Sequence, residues 1–321
     1  MPRSSRPSSG RRSLLLAAAA AALPVMPVRA LPLDPVPPWP RRQRPLRLGV
    51  IDLSFHRASA GVVAEVLRAG GVPVELVVDV HERIYDRLRR GEIDMAVSAW
   101  LPGSHGDYIR GLDNDLLRLG VLYQPYALWG VPDYVPVEIL DTIGDLRRDD
   151  VRAAITVKRI QGIGPGAGIS RFSREIMQRY DLGAHGYEFM NGSLRDCVQA
   201  FESAVAERRW VVVPLWRPQY LHARHRIRDL RDPVGLLRGV DDATLLLRRD
   251  ARALIPDATL KVLAGMSLGN ETVAALDEQV GRDGQPAERV AAEWLARHPT
   301  RPTEWALAGD RVLAAAPAAV P

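Results

Sequence analysis

Between residues 47 and 100 the chain alternates short aliphatic runs with helical stretches, and that alternation leaves few folds open. "RLGVIDL" (47–53) has strand character, and "ASAGVVAEVLRAGG" (58–71) has helical spacing with a Gly-Gly stop. "VPVELVVDV" reads as a second strand, "HERIYDRLRRGE" as a helix and "IDMAVSAW" as a third strand. This order specifies a parallel α/β sheet covered by its crossover helices. Ligands of such sheets bind beyond the carboxyl ends of the strands. Ser54, Phe55 and His56 fall at one such end, and Trp100 to Tyr108 at another.

A second set of units follows "LLRLGVLYQPYALWGVPDYV". "DVRAAITV" is expected as a strand, "GAGISRFSREIMQRYDLG" as a helix and "YEFMNG" as a strand. A helix from Ser193 to Glu207, the strands "RWVVVPLW" and "DDATLLLRRD", and a mainly helical run from Ala251 to about Ala308 complete the pattern. The chain crosses between the sets near Pro125–Trp129 and again near Pro233–Thr244. Two α/β lobes, 46–124 with 236–308 and 125–235, would then form a hinged clamshell around a cleft. Residues 309–321 are expected to be a flexible tail.

Two strands leave their lobes in the same unusual way. "AWLPGSHGDY" runs from Trp100 through Pro102 and Gly103 to His105 and Tyr108. "RWVVVPLWRPQY" runs through Trp216-Arg217-Pro218 to Tyr220. A turn needs the proline and glycine but not the aromatic rings. One such exit is equally consistent with a buried strand end, His105 capping a helix and Tyr108 packing beneath the turn. Two exits on different lobes suggest facing walls. An indole face attracts a cation that has no hydrogen to donate, by roughly 0.5–2 kcal/mol per contact.

"GIGPGAGIS", Gly162 to Ser170, adds a glycine-rich lead into a helix. It lacks the Gly-Lys-Ser/Thr of a phosphate loop, and Pro165 removes one donor. The free N–H groups of Gly168 and Ile169 are suited to an anion, although such a segment alone also fits a plain tight turn. Aromatic walls for a cation beside donors for an acid describe a receptor for a zwitterion.

The first thirty residues read as an export signal (1–30). Arg11 and Arg12 precede "SLLLAAAAAAL", and Val28-Arg29-Ala30 supplies the small residues of a cleavage site. Adjacent arginines are compatible with twin-arginine or general export. This segment holds five arginines and no acids, so without it the formal charge of +5 falls to zero. Nucleic-acid binding thereby loses its electrostatic support. A proline-rich linker, 31–45, follows. Cys197, the one cysteine, lies in a helical pattern and is expected to be a buried thiol. With no cysteine at the cleavage site, a soluble periplasmic protein is expected.

The residues "GEIDMAVSAWLPGSH", "GPGAGIS", Gly192-Ser193, "RWVVVPLWRPQY", "DLRDP" and "AAEWLARHPTRPTEW" occur in this order over about 46–306. In them the chain resembles the substrate-binding proteins of osmoprotectant ABC transporters, the OpuAC-like glycine betaine family. The resemblance implies a type II periplasmic-binding-protein fold with its ligand between the lobes. It implies a monomer working with a permease and an ATPase, without cofactor or metal. It matches Trp100 and Trp216 to caging tryptophans, His105 to a carboxylate-binding histidine, and Gly168 and Ile169 to backbone donors. The sequence departs at Ala167, where three-tryptophan members carry an aromatic, and at Gln219, where a histidine is common. Phe55 and Trp129 are the candidates for the missing face, Trp129 fitting a hinge or core position better.

A catalytic reading has less support. Ser104, His105 and Asp107 are neighbours on one turn, whereas a triad converges from separate segments. No Gly-x-Ser-x-Gly elbow is present. His81, His222 and His225 lie in polar stretches and are expected to be solvated. The pair His222 and His225 has metal-ligand spacing but no evident third ligand. A binding protein serving a sensor instead of a permease would close on its ligand identically.

Overall fold

Strand β1 (Leu46–Ile51) is buried at every residue but Arg47, as suits the interior strand of a covered sheet. The computed structural model describes residues 44–315, so the export signal and nearly all of the proline-rich linker lie outside the described residues. Helix α1 (Ser54–Ala69) packs Val62, Val63, Val66 and Leu67 inward and stops at Gly70-Gly71, where Gly71 takes a φ of 77°. Strand β2 (Val74–Asp79) then pairs with β1 in parallel, Leu46 opposite Val74 and Ile51 opposite Asp79. Helix α2 (His81–Arg89) leads to β3 (Met95–Leu101), buried along its whole length. A short helix α3 (Gly106–Ile109) and strand β4 (Leu116–Val121) complete this part.

The chain next enters β5 (Tyr126–Pro132). Residues expected as the strand "DVRAAITV" instead form helix α4 (Asp149–Ala154). Asp149 and Asp150 sit in its first turn, where acidic side chains favour the positive end of a helix, and Ala153 and Ala154 carry strong helix propensity. Strand β6 (Arg159–Gln161), helix α5 (Gly168–Arg179) and strand β7 (Glu188–Met190) follow. Helix α6 (Leu194–Ala206) is opened by Ser193, whose hydroxyl accepts the Asp196 N–H while the Asp196 carboxylate accepts the Ser193 N–H. Cys197 on this helix is fully buried, with Sγ 3.4 Å from the Pro214 carbonyl, and burial pushes its thiol up to about 12. It is an inert packing residue.

Strand β8 (Val213–Arg217), helix α7 (Leu221–Arg224) and strand β9 (Ile227–Asp229) precede the return through β10 (Asp242–Arg248). Helices α8 (Asp257–Ala264), α9 (Asn270–Asp277), α10 (Ala287–Arg297) and α11 (Arg301–Ala315) finish the described chain. The tail expected from residue 309 is therefore helical through Ala315, and Asp310 pairs with Lys261 of α8 at 2.8 Å. Its remainder lies outside the described residues.

One sheet has the order β2-β1-β3-β10-β4, and a second has the order β8-β5-β9. They are the centres of two α/β lobes. The first sheet is mixed, where the strand–helix alternation predicted a parallel one, because β10 runs antiparallel to both β3 and β4. The cause is its route. It arrives from the second lobe beside the carboxyl end of β3, Asp242 opposite Leu101, and must run the other way. The outgoing and returning crossings bond to each other: Leu122 N–H to the Ala243 carbonyl, Ala243 N–H to Tyr123, and Asp241 N–H to Pro125. This paired double crossing joins the two lobes and lies beside the carboxyl end of β3.

Candidate functional site

After β1, residues Asp52 and Leu53 lead directly into α1, so the first helical turn carries Phe55 and His56. That helix starts at Ser54, not at Ala58 as its apolar spacing suggested. Both rings are thereby set at the strand end and buried.

After β3 the chain turns through a cis Leu101–Pro102 peptide, and after β8 through a cis Arg217–Pro218 peptide. Asp241, on the returning crossing, accepts the N–H groups of Gly103 at 2.6 Å and Ser104 at 3.0 Å. The His105 N–H bonds back to the Trp100 carbonyl at 2.8 Å, which closes the turn. On the opposing lobe, Ala167 occupies the N-cap position of α5 and offers no side-chain cap. The N–H groups of Gly168 and Ile169, in the first helical turn, have no acceptor among the described residues. A Cβ at Gly168 would lie 2.7 Å from that of Ser104, so glycine is what lets α5 come this close to the turn.

These segments enclose a small cavity of about 20 Å³, lined by Phe55, His56, His81, Trp100, His105 and Trp216 together with Leu53, Ser104, Ile163 and Ala167–Ile169. That is room for about one water. Phe55 stands between the two tryptophans, its ring centroid 5.4 Å from that of Trp100 and 5.5 Å from that of Trp216. A crevice of about 1500 Å³ between the lobes adjoins the cavity and shares Leu53, His81 and Ile163 with it. The small cavity, with its aromatic lining, is the candidate site, and the crevice is its approach.

The indole of Trp100 donates to the Tyr123 hydroxyl at 3.1 Å, which fixes its plane, while the buried Trp216 Nε1 has no partner. His105 does not cap α3 with its side chain. Its Nδ1 instead receives the Trp100 backbone N–H at 2.9 Å and lies 2.8 Å from the Tyr85 hydroxyl. A backbone N–H only donates, so Nδ1 is the bare nitrogen and Nε2 carries the proton. Burial, then the neighbouring His81 and His56, holds His105 far below its ordinary range, so the ring is a neutral donor.

His81 is buried, contrary to the solvated position its polar surroundings suggested. It begins α2 just after the carboxyl end of β2 and lines the cavity together with Ile163 and Ala167 of the other lobe. Burial, with Arg171 nearby, lowers it to about 4. His56 is lowered by burial and by His81. His222 is half-buried, its Nε2 3.0 Å from the Trp216 carbonyl, and is lowered to about 4 by burial and Arg217. His225 faces Glu202 at 3.5 Å. Among the described residues no cluster of three or more histidines, cysteines or acids is arranged to hold a metal ion.

Trp129 is not at the cavity. It is fully buried in the second lobe, its indole donating to Ser173 at 2.9 Å. Tyr108 does more than pack beneath the turn. Its ring stacks on Tyr85 at 5.0 Å, and its hydroxyl crosses to the other lobe, donating to the Gly166 carbonyl at 2.8 Å. Arg171 of α5 lies over that ring at 5.2 Å and donates to the Ser104 carbonyl. Tyr220 N–H donates to the buried Asp277 at 2.9 Å, a further contact between the lobes. Sequence reasoning set His56 and Ser104 at ligand-facing strand ends without naming them as contacts, and it missed His81, whose signal was its place just after the end of β2.

Residues 44–297 match the family model described as the substrate-binding domain of ABC-type glycine betaine transport systems, OpuAC. The chain belongs to this family. A glycine betaine/carnitine transport binding protein of Listeria monocytogenes, GbuC, is 23% identical over 146 residues, 46% of this chain. The chain spans about half the length, 48%, of that curated relative. Lactococcal OpuAC, solved in a closed form with glycine betaine, superposes with a TM-score of 0.71 at 21% identity, over 82% of this chain and 99% of that one. The glycine betaine/L-proline-binding protein ProX of Borrelia burgdorferi gives 0.72 at 22% identity, over 82% and 96%. An ABC-transporter choline-binding protein in complex with choline gives 0.69 at 17% identity, over 84% and 96%. These likenesses establish the bilobal binding-protein fold. The OpuAC match makes residues 44–297 a substrate-binding domain of this family.

Proposed function

We propose that this chain is the periplasmic receptor of an ABC importer for glycine betaine or a closely related quaternary ammonium zwitterion. Trp100, Phe55 and Trp216 are the walls that take the trimethylammonium head. The Nε2–H of His105 and the N–H groups of Gly168 and Ile169 receive the carboxylate. The observation that carries this reading is the junction of three aromatic rings with three uncommitted donors around one cavity. A cation without hydrogens gains from ring faces, and a carboxylate gains from aligned N–H groups at a helix start. In this reading Phe55 supplies the face that Ala167 lacks. The lobes part at the hinge to admit the ligand, since the cavity as it stands has no room for one. Export through the arginine-bearing leader would deliver the receptor to a partner permease and its ATPase, and the receptor works as a monomer without catalysis.

Tryptophan-fluorescence titration against glycine betaine, carnitine, choline and proline betaine tests the assignment. A saturable change with at least one of them is expected. Silence towards all four would end the ligand assignment.

A further inference from the structure

Three buried imidazoles meet at one end of the cavity. His56 is 1% exposed, His105 2% and His81 8%. Their ring centroids are separated by 5.3 Å for His81–His105, 6.1 Å for His56–His105 and 6.3 Å for His56–His81. Only Nδ1 of His105 has hydrogen-bond partners among the described residues, and Nδ1 of His56 is fully buried with none. A buried polar group without a partner is costly, and His56 Nδ1 beside two further imidazoles that keep unengaged ring nitrogens marks a place where a ligand supplies what the protein does not. His56 also lies 5.7 Å from Trp100 and 4.2 Å from Phe55, so the imidazole end continues directly from the aromatic end.

We propose that His56 and His81 join His105 in a three-imidazole subsite for the ligand's acid group, so that the pocket selects carboxylate-bearing quaternary ammonium compounds over cationic alcohols. This rests on the functional reading above and specifies its substrate class. No carboxylate of the protein lines the cavity. The groups facing the three rings are one another, the Tyr85 hydroxyl of α2 and the Arg171 guanidinium of α5, whose charge acts on His81 and His105. Glu82 lines the adjoining crevice, the Tyr108 ring lies 6.4 Å from that of His105, and Asp241 is engaged by the Gly103 and Ser104 N–H groups. In the empty site nothing stabilises an imidazolium. A bound carboxylate does, so the complex holds a proton that the free protein releases, and binding of the acid strengthens as pH falls.

Calorimetric titration of the purified protein and of its His81→Ala, His81→Gln and His56→Asn variants, with glycine betaine and with choline at pH 8 and pH 5, tests this. Wild type is expected to bind glycine betaine at least fivefold more tightly at pH 5, and choline no more tightly. His81→Ala and His56→Asn should each weaken glycine betaine at least tenfold and choline less than threefold. His81→Gln, which keeps an N–H but cannot take up a proton, should recover part of the affinity and lose the pH dependence. Equal losses for both ligands would mean a structural role and overturn the inference, as would variants within threefold of wild type for glycine betaine. A wild type that binds neither ligand would overturn the functional reading, and this inference with it. A wild type that prefers choline would overturn the inference alone.

Discussion

The backbone N–H of Trp100 donates to Nδ1 of His105 across 2.9 Å, so the turn that presents the tryptophan also sets the histidine's tautomer. In the proposed complex one loop would orient both ends of a bipolar ligand, the indole face meeting the cation and Nε2–H the acid.

Trp100→Ala and Trp216→Ala should each weaken glycine betaine at least tenfold, because each removes a cation–π face worth about 0.5–2 kcal/mol along with its buried contact area. Calorimetry with a parallel melting curve separates lost affinity from lost fold. Retained affinity in both variants would remove the cage.

Phe55→Leu keeps apolar volume and loses the ring face. Affinity for glycine betaine should fall about three- to tenfold, with stability changed by less than about 1.5 kcal/mol. If affinity instead rose, Phe55 would be a plug in the ligand's place and not a wall.

Tyr108→Phe deletes the bond from the Tyr108 hydroxyl to the Gly166 carbonyl, worth about 0.5–1.5 kcal/mol. The ligand-free protein should then populate open lobes more, raising its radius of gyration in small-angle scattering. Saturating ligand should restore the wild-type value.

Two carboxyl groups give stability opposite pH slopes. Asp277 is raised to about 6 by burial, with Ser54 and the Tyr220 N–H pulling the other way. The folded state therefore binds a proton more tightly than the unfolded chain. Its contribution is greatest below about pH 4, and roughly 3 kcal/mol is lost as pH rises to about 6. Asp277→Asn should flatten that slope and stabilise the protein at pH 7, read from urea midpoints.

Asp94 is the reverse case. Burial opposes its charge, but the Arg44 and Arg47 side chains and the Arg47 N–H outweigh burial and hold it below the usual carboxylate range. Its contribution is present above about pH 4 and fades as pH falls further. Asp94→Ala should cost roughly 1.5–3 kcal/mol at pH 7 and less at pH 2.

Much of the architecture was legible because its signals are local. Alternating apolar runs gave β1, β2 and β3 their positions, and the Gly-Gly stop ended α1 where expected. Trp100 and Trp216 stood out because turns after buried strands rarely need indoles. "DVRAAITV" failed for a local reason too, since two aspartates at a helix start and two alanines outweigh the four β-branched residues of the segment. The mixed sheet could not be read at all, because nothing in "DDATLLLRRD" states which neighbour it joins or in which direction.

The sequence by itself determined the family, the strand-end positions of Phe55, Trp100 and Trp216, and the free donors at the start of α5. The family follows from the resemblance of ordered motifs over 46–306, and the site positions from residue type and spacing along single segments. Tertiary structure alone decided that Phe55 stands between the tryptophans, that Trp129 is core, that Tyr108 bridges the lobes and that His56 and His81 face His105. The first and third depend on how two lobes approach each other, the histidine cluster on β1, β2 and β3 lying side by side in one sheet, and Trp129 on packing within the second lobe. Burial strips a histidine of water and partners regardless of how polar its neighbours in the chain are.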